Sequence, residues 1–267
     1  MANHLIFPIK DIDNLILLKY TKVNDLFQLI SVNKYYYNYV SNLPLIKEIK
    51  EFNKKKIKLN KNSEDYFTDL FSEVCYFGFI NYAKYLFKYH YINIHAKEEY
   101  AFRYSCQNRH LETAKWLIDL SKQLDSAINI HSIMDDAFGL SCLNGHLDVA
   151  KWLVKLGKQL NSPINIHVYD DFAFRWSCHN GHLDVAKWLF ELSRKQKKIN
   201  SPINIHILDD SAFRWSCENG HLDVAKWLLD LSKQLNSIIN IHADDNYAFV
   251  WSQRNNHLNT YNWLCTF

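Results

Sequence analysis

Ser211-Ala212-Phe213-Arg214-Trp215-Ser216-Cys217-Glu218-Asn219-Gly220-His221-Leu222-Asp223-Val224-Ala225-Lys226-Trp227-Leu228 returns, with small changes, several times along this 267-residue chain. Indexed on its histidine, the copies place His110, His146, His182, His221 and His257 at intervals of 36, 36, 39 and 36 residues, each followed by leucine. Self-similarity at a fixed period of this length is the mark of stacked repeat units. Such units bury a shared seam and leave an extended surface for a partner, so the pattern points to binding before any single residue is considered.

Within each unit some positions never change. Ala101, Ala137, Ala173, Ala212 and Ala248 stand nine residues before the index histidine, each followed by phenylalanine. Ser105, Ser141, Ser177, Ser216 and Ser252 stand five before it. Alanine and phenylalanine, then serine and cysteine four places on, share one narrow helical face with small residues that admit a neighbouring helix closely. Asn144-Gly145, Asn180-Gly181 and Asn219-Gly220 then supply a reversal in which glycine takes positive φ. Leu222, Ala225, Leu228 and Leu229, with Trp227, have the spacing of a second amphipathic helix antiparallel to the first.

These residues resemble the ankyrin repeat: Ser211 stands for its Thr, Ala212 for Pro, Phe213 for Leu, Arg214 for His, and Ser216-Cys217 for its two small residues, ahead of Gly-His-Leu. The helix-one Pro and His, and the Gly that closes helix two, are absent. Stretches such as 231–242 lengthen the period instead, implying a longer second helix or a bulkier loop with a hairpin-like return through Asn240-Ile241-His242. The resemblance implies an all-α, ankyrin-like solenoid of about six helix-turn-helix repeats over 63–267, with units near 63–98, 99–134, 135–170, 171–209, 210–245 and 246–267. The richness in Tyr, Lys, Asn and Ile, with this Lys-Trp-Leu variant of the motif, is similar to ankyrin proteins of large DNA viruses of amoebae.

Residues 1–52 have a different character. Ile12, Leu15, Ile16 and Leu18, then Leu26, Leu29, Ile30 and Val32, predict a helical N-terminal region. The run 24–34, opened by Phe7-Pro8, resembles an F-box. That resemblance implies docking of a ubiquitin-ligase adaptor through Pro8, Leu26, Leu29, Val32 and Lys34, and the alternative is an unrelated helical cap on the first repeat. A basic linker, 53–62, follows. Residues 1–62 hold eleven lysines against five acidic residues, so the net charge of +3 conceals a basic start and an acidic repeat region. The basic run could import the protein into a nucleus or touch phosphate, but it lacks the broad basic face with interleaved aromatics that nucleic-acid binding needs, and a solvated linker or helix end explains it more simply.

With 48% hydrophobic and 15% aromatic residues the chain can bury a core. No membrane-length apolar run and no signal peptide stand out, so an intracellular protein is expected, in host cytoplasm or nucleus on the viral resemblance. Cys75, Cys106, Cys142, Cys178 and Cys217 repeat with the units, and helices stacked about 8–10 Å apart hold equivalent cysteines too far apart for disulfides, which predicts buried thiols. His95, His131, His167, His206 and His242 form a second histidine lattice, but equivalent side chains on stacked units do not converge on one metal, and backbone hydrogen bonds are the expected role of both lattices. No nucleophile–base pair or phosphate loop is evident, so neither catalytic residue nor cofactor is expected. The tryptophans, on lattices too, are expected mostly in the core.

Contact candidates are therefore the positions that vary while their neighbours repeat. One set ends helix one: Gln107, Leu143, His179, Glu218 and Arg254. The other enters it as an acidic series, Glu98, Glu99, Asp135, Asp170, Asp171, Asp209, Asp210, Asp244 and Asp245, which either caps helices or attracts a basic partner. The expected function is a non-enzymatic scaffold for a protein partner. An F-box-type substrate receptor of a cullin ubiquitin ligase is the alternative, and a nucleic-acid-associated role through the basic segment is a second one.

Overall fold

The computed structural model describes residues 42–55, 57–59, 61, 63–195 and 202–267. The chain divides into two units, Met1–Lys58 and Leu59–Phe267. Pro8, Leu26, Leu29, Val32 and Lys34 lie outside the described residues. In the first unit, helix α1 (Pro44–Lys54) starts on a proline, whose missing N–H costs nothing at that position, and buries Ile46, Ile49 and Phe52 at three-residue spacing. It carries Asn53 and Lys54 of the basic run as its last turn.

The second unit is six helical pairs, and no strand occurs among the described residues. The pairs are α2 (Tyr66–Tyr76) with α3 (Ile80–Tyr89), α4 (Ala96–Gln107) with α5 (Leu111–Gln123), and α6 (Ser132–Leu143) with α7 (Leu147–Gln159). Next come α8 (Val168–His179) with α9 (Leu183–Lys195), α10 (Ile207–Glu218) with α11 (Leu222–Gln234), and α12 (Ala243–Arg254) with α13 (Leu258–Leu264). First helices follow one another side by side in chain order, each also touching its own second helix. The all-α, ankyrin-like stack of helix-turn-helix units expected from the repeats is thus what the described residues form.

The repeated residues explain the joints. Phe71, Phe102, Phe138, Phe174 and Phe213 are fully buried on the first helices. Each meets the second-helix tryptophan of the following unit, from Phe71–Trp116 at 6.1 Å between ring centroids to Phe213–Trp263 at 6.5 Å. Burying each such ring contributes about 1.5–3 kcal/mol, so this seam carries much of the association between units. The five repeated cysteines are buried and free, and burial pushes their thiols up. The tryptophans, by contrast, are half-buried rather than interior.

The invariant serine closes helix one. His146 N donates to Ser141 O (2.8 Å) and Gly145 N to Cys142 O (3.0 Å), the paired bonds of a Schellman stop, with Gly145 at φ 74. The Ser141 hydroxyl is shared between Ala137 O (2.6 Å) and Cys106 O of the preceding unit (3.3 Å). A Cβ at this glycine would crowd the next unit, although Arg109 and Asn256 hold the same place at φ 63 and 62 in two other units. One added at Gly181 would stand 2.4 Å from Nδ1 of His221, because each index histidine lies over the preceding unit's reversal.

The missing helix-two glycine is replaced in kind: Asp125, Asn161 and Asn236 take φ 51, 52 and 52 at the same stop, and the internal second helices run to 13 residues. The hairpin-like return expected through Asn240-Ile241-His242 is not formed. The backbone makes an Asx turn, His242 N donating to Asn240 Oδ1 at 3.0 Å, and enters helix one through three consecutive left-handed residues, Asp244, Asp245 and Asn246. The same entry recurs at 97–99, 133–135, 169–171 and 208–210. A two-strand hairpin would need a paired partner ladder. Here the local side-chain bonds satisfy the backbone instead.

Candidate interaction surface

Helical periodicity brings positions ten, six and three before the index histidine onto one stripe of each first helix. Unit by unit this stripe reads Tyr100, Tyr104, Gln107; Asp136, Leu140, Leu143; Phe172, Trp176, His179; Ser211, Trp215, Glu218; and Tyr247, Trp251, Arg254. The first set of sequence candidates therefore lies on this stripe. The rings beside those candidates were not singled out as contacts, although three- and seven-residue spacing from Gln107, His179 and Arg254 would have found them.

The stripe is densest around α8, α10 and α12. Trp176 lies 5.8 Å from Trp215 and 4.6 Å from the His179 ring, edge-on, between ring centroids. Asn219 Nδ2 donates to His179 Nδ1 at 3.1 Å, which requires the neutral imidazole, and burial pushes the His179 pKa down in the same sense. Tyr247 donates its hydroxyl to Glu218 Oε2 at 2.7 Å, and burial together with that bond raises the phenol to about 12. Arg254 is exposed and lies over the Trp251 ring at 5.2 Å. Large half-buried rings with a polar group beside each are the composition of interface anchors.

The acidic series divides in two. Glu99, Asp135, Asp171 and Asp210 are buried and belong to the scaffold. Asp210 is the clearest example: Oδ1 meets His206 Nδ1 at 2.6 Å, and Oδ2 accepts the backbone N–H of Asn240, in the next unit, at 3.0 Å. Asp135 does the same with His131 and Asn165, and Asp171 with His167 and Asn204, whereas Glu99 meets both His95 Nδ1 and the Asn129 N–H through Oε1 and keeps Oε2 buried without a hydrogen bond. Glu98, Asp170, Asp209, Asp244 and Asp245 face water. Asp244 is ion-paired with Arg214, which leaves Glu98, Asp170, Asp209 and Asp245 as the outward acids.

Two of the index histidines make the expected backbone bonds, His110 with Tyr76 and His146 with Gln107, each on the preceding unit. They do not hold for the second lattice, whose ring nitrogens bond side chains. His131 Nε2 meets Ser162 Oγ at 2.8 Å while Nδ1 meets Asp135 at 2.5 Å, a Ser–His–Asp chain that recurs as Ser237–His206–Asp210 and Ser126–His95–Glu99. The sequence reading missed this nucleophile–base arrangement because its members are 31 residues apart in different units. The arrangement recurs at successive joints, and in the Asp135 and Asp210 copies the carboxylate's second oxygen accepts the next unit's backbone N–H, so it ties one unit to the next. Among the described residues no group of three His, Cys, Asp or Glu side chains converges as a metal site would, and no helix is long and apolar enough to cross a membrane.

No family model matches this chain, and no curated protein does. Among solved structures it is similar to an ankyrin repeat family protein from Legionella pneumophila, 19% identical, covering 78% of this chain and 76% of that one at a TM-score of 0.34.

Proposed function

We propose that the protein is a non-enzymatic interaction scaffold that recognises a protein partner through the outward stripe of its first helices. The supporting observation is the contrast within one surface: the stripe differs in every unit and gathers Trp176, Trp215, Trp251, His179, Glu218 and Arg254, while the residues that hold units together repeat. A scaffold residue is fixed by its neighbours. A contact residue is free to follow a partner.

The test is proximity labelling in cells with the wild-type chain, a Glu218→Lys/Arg254→Glu variant, and a Lys122→Glu control on the second helices. The stripe variant loses the labelled partners that wild type and control share. Equal labelling by all three contradicts the reading.

A further inference from the structure

The position seven before the index histidine carries Arg103, Gly139, Arg175, Arg214 and Val250 in successive units. Where arginine is present, its guanidinium closes the left-handed entry turn. Arg175 donates from Nε to Asp170 O at 2.6 Å and from Nη2 to Tyr169 O at 2.8 Å. Arg103 and Arg214 bind the carbonyls of Lys97 and Glu98, and of Leu208 and Asp209, in the same way. The Arg214 guanidinium also lies over the Tyr247 ring of the next unit, 4.9 Å from its centroid.

In the third unit the turn is the same but the arginine is missing. A cavity of about 250 Å³ lies there, lined by Ile133, Met134, Asp136, Gly139, Tyr169 and Phe172 among others. Ile133 and Met134 are the residues whose counterparts offer carbonyls to arginine elsewhere, and Phe172 occupies the place of Tyr247. Asp136 brings a carboxylate to the wall and is already bound by Arg103 Nη1 at 2.6 Å, so the wall receives a guanidinium at one edge as it stands. The mouth is unusual too. Ile133, Met134 and Tyr169 are 42%, 62% and 57% exposed, whereas the first two are Lys97-Glu98, Leu208-Asp209 and Asp244-Asp245 in three of the other units.

We propose that this cavity is a socket for one arginine side chain of the protein partner, which supplies in trans the guanidinium that Arg103, Arg175 and Arg214 supply in cis. A planar fork satisfies two adjacent carbonyls while its face lies on a ring, which an ammonium cannot do, so arginine is taken and lysine is not. The apolar mouth suits the arginine's methylene stem. The volume is below the roughly 300–1,000 Å³ of pockets for drug-sized ligands and cofactors, which fits a single side chain. The outward Asp170 beside the mouth favours a basic segment. The partner half of this proposal rests on the scaffold reading above; the socket itself does not.

The full chain is titrated with N-acetyl-arginine methylamide and with N-acetyl-lysine methylamide while amide NMR signals are followed. The arginine probe moves the signals of residues 133–139 and 169–173, and the lysine probe binds about tenfold or more weaker. The Gly139→Arg variant, filled by its own guanidinium, loses that response. An added Cβ would stand 3.3 Å from Phe172, so Gly139→Arg/Phe172→Ser, copying the Arg175–Ser211 pair, is measured beside it and loses the response too. No response to the arginine probe, equal response to both probes, or an undiminished response in both variants overturns the socket. If the probe binds wild type but Gly139→Arg keeps every labelled partner, the assignment to a partner's arginine is overturned while the scaffold reading, tested by Glu218→Lys/Arg254→Glu, is untouched.

Discussion

At the joints between units the chain repeats itself almost residue for residue, whereas along the stripe of the first helices no two units agree. At a joint, Asp210 has one oxygen on His206 and the other on the Asn240 amide, and Phe213 faces Trp263. On the stripe, Trp215 and Glu218 have Leu140 and Leu143 as their counterparts two units earlier. The difference teaches how a repeat protein separates two demands. Nearest-neighbour cohesion needs the same bonds at each step, and recognition needs a different surface at each step. Substitutions that ignore this division should act on stability at the joints and on partners along the stripe.

The largest effect is expected at the apolar part of the joint. Phe213→Ala should cost about 3–5 kcal/mol in urea unfolding followed by circular dichroism, because a fully buried ring is removed from between two units. A cost no larger than that of a surface change would break the comparison. Removing the polar staple comes next: Asp210→Ala should cost about 1.5–3 kcal/mol, the worth of hydrogen bonds to a charged group. Ser162→Ala removes only the hydroxyl on His131 and should cost about 1 kcal/mol or less. It also sharpens the reading of the Ser–His–Asp chains, since turnover of p-nitrophenyl acetate should be the same with and without Ser162. A clear loss in the variant would make the joint a reaction centre.

The most gradual effect is with pH. Burial holds His110, His146 and His221 below the ordinary histidine value. Unfolded, they take up protons near pH 6.5, so the unfolded chain binds more protons as pH falls below that value. Their contribution is therefore complete above about pH 7 and is lost as pH drops through 6.5 toward their lowered folded values. The melting temperature should fall from pH 7 to pH 5, and three-fold replacement by glutamine should flatten the slope.

The pairing of helices, the reversal at Asn-Gly and the buried faces of Ala, Phe, Ser and Cys were all legible in the sequence, because each follows from spacing or from one residue's backbone preference. The entry turn was not. Its three left-handed residues are not glycines, and they are held by Arg175, five and six residues on, a relation that no local pattern displays. The split of the acidic series was hidden for a similar reason. Asp209 and Asp210 are adjacent and alike, yet only one points at the next unit's backbone, and a left-handed turn decides which. The helix-two tryptophans look like core by composition, but a ring at the edge of a stack one helix pair thick keeps one side in water. The candidate stripe was half visible: variation marked Gln107 to Arg254, but pairing them with the rings three and seven residues earlier required the helix register.

The amide of Asn240 gives the most direct test of the joint. It sits in a loop, where an unbonded N–H exchanges with solvent freely, yet it donates to Asp210 of the preceding unit. Hydrogen exchange followed by NMR should find this amide protected in the wild-type chain. In Asp210→Ala it should be released, while Asn165, held by Asp135, keeps its protection. An Asn240 amide that exchanges as fast as an open loop in the wild type, or that stays protected without Asp210, would contradict the account.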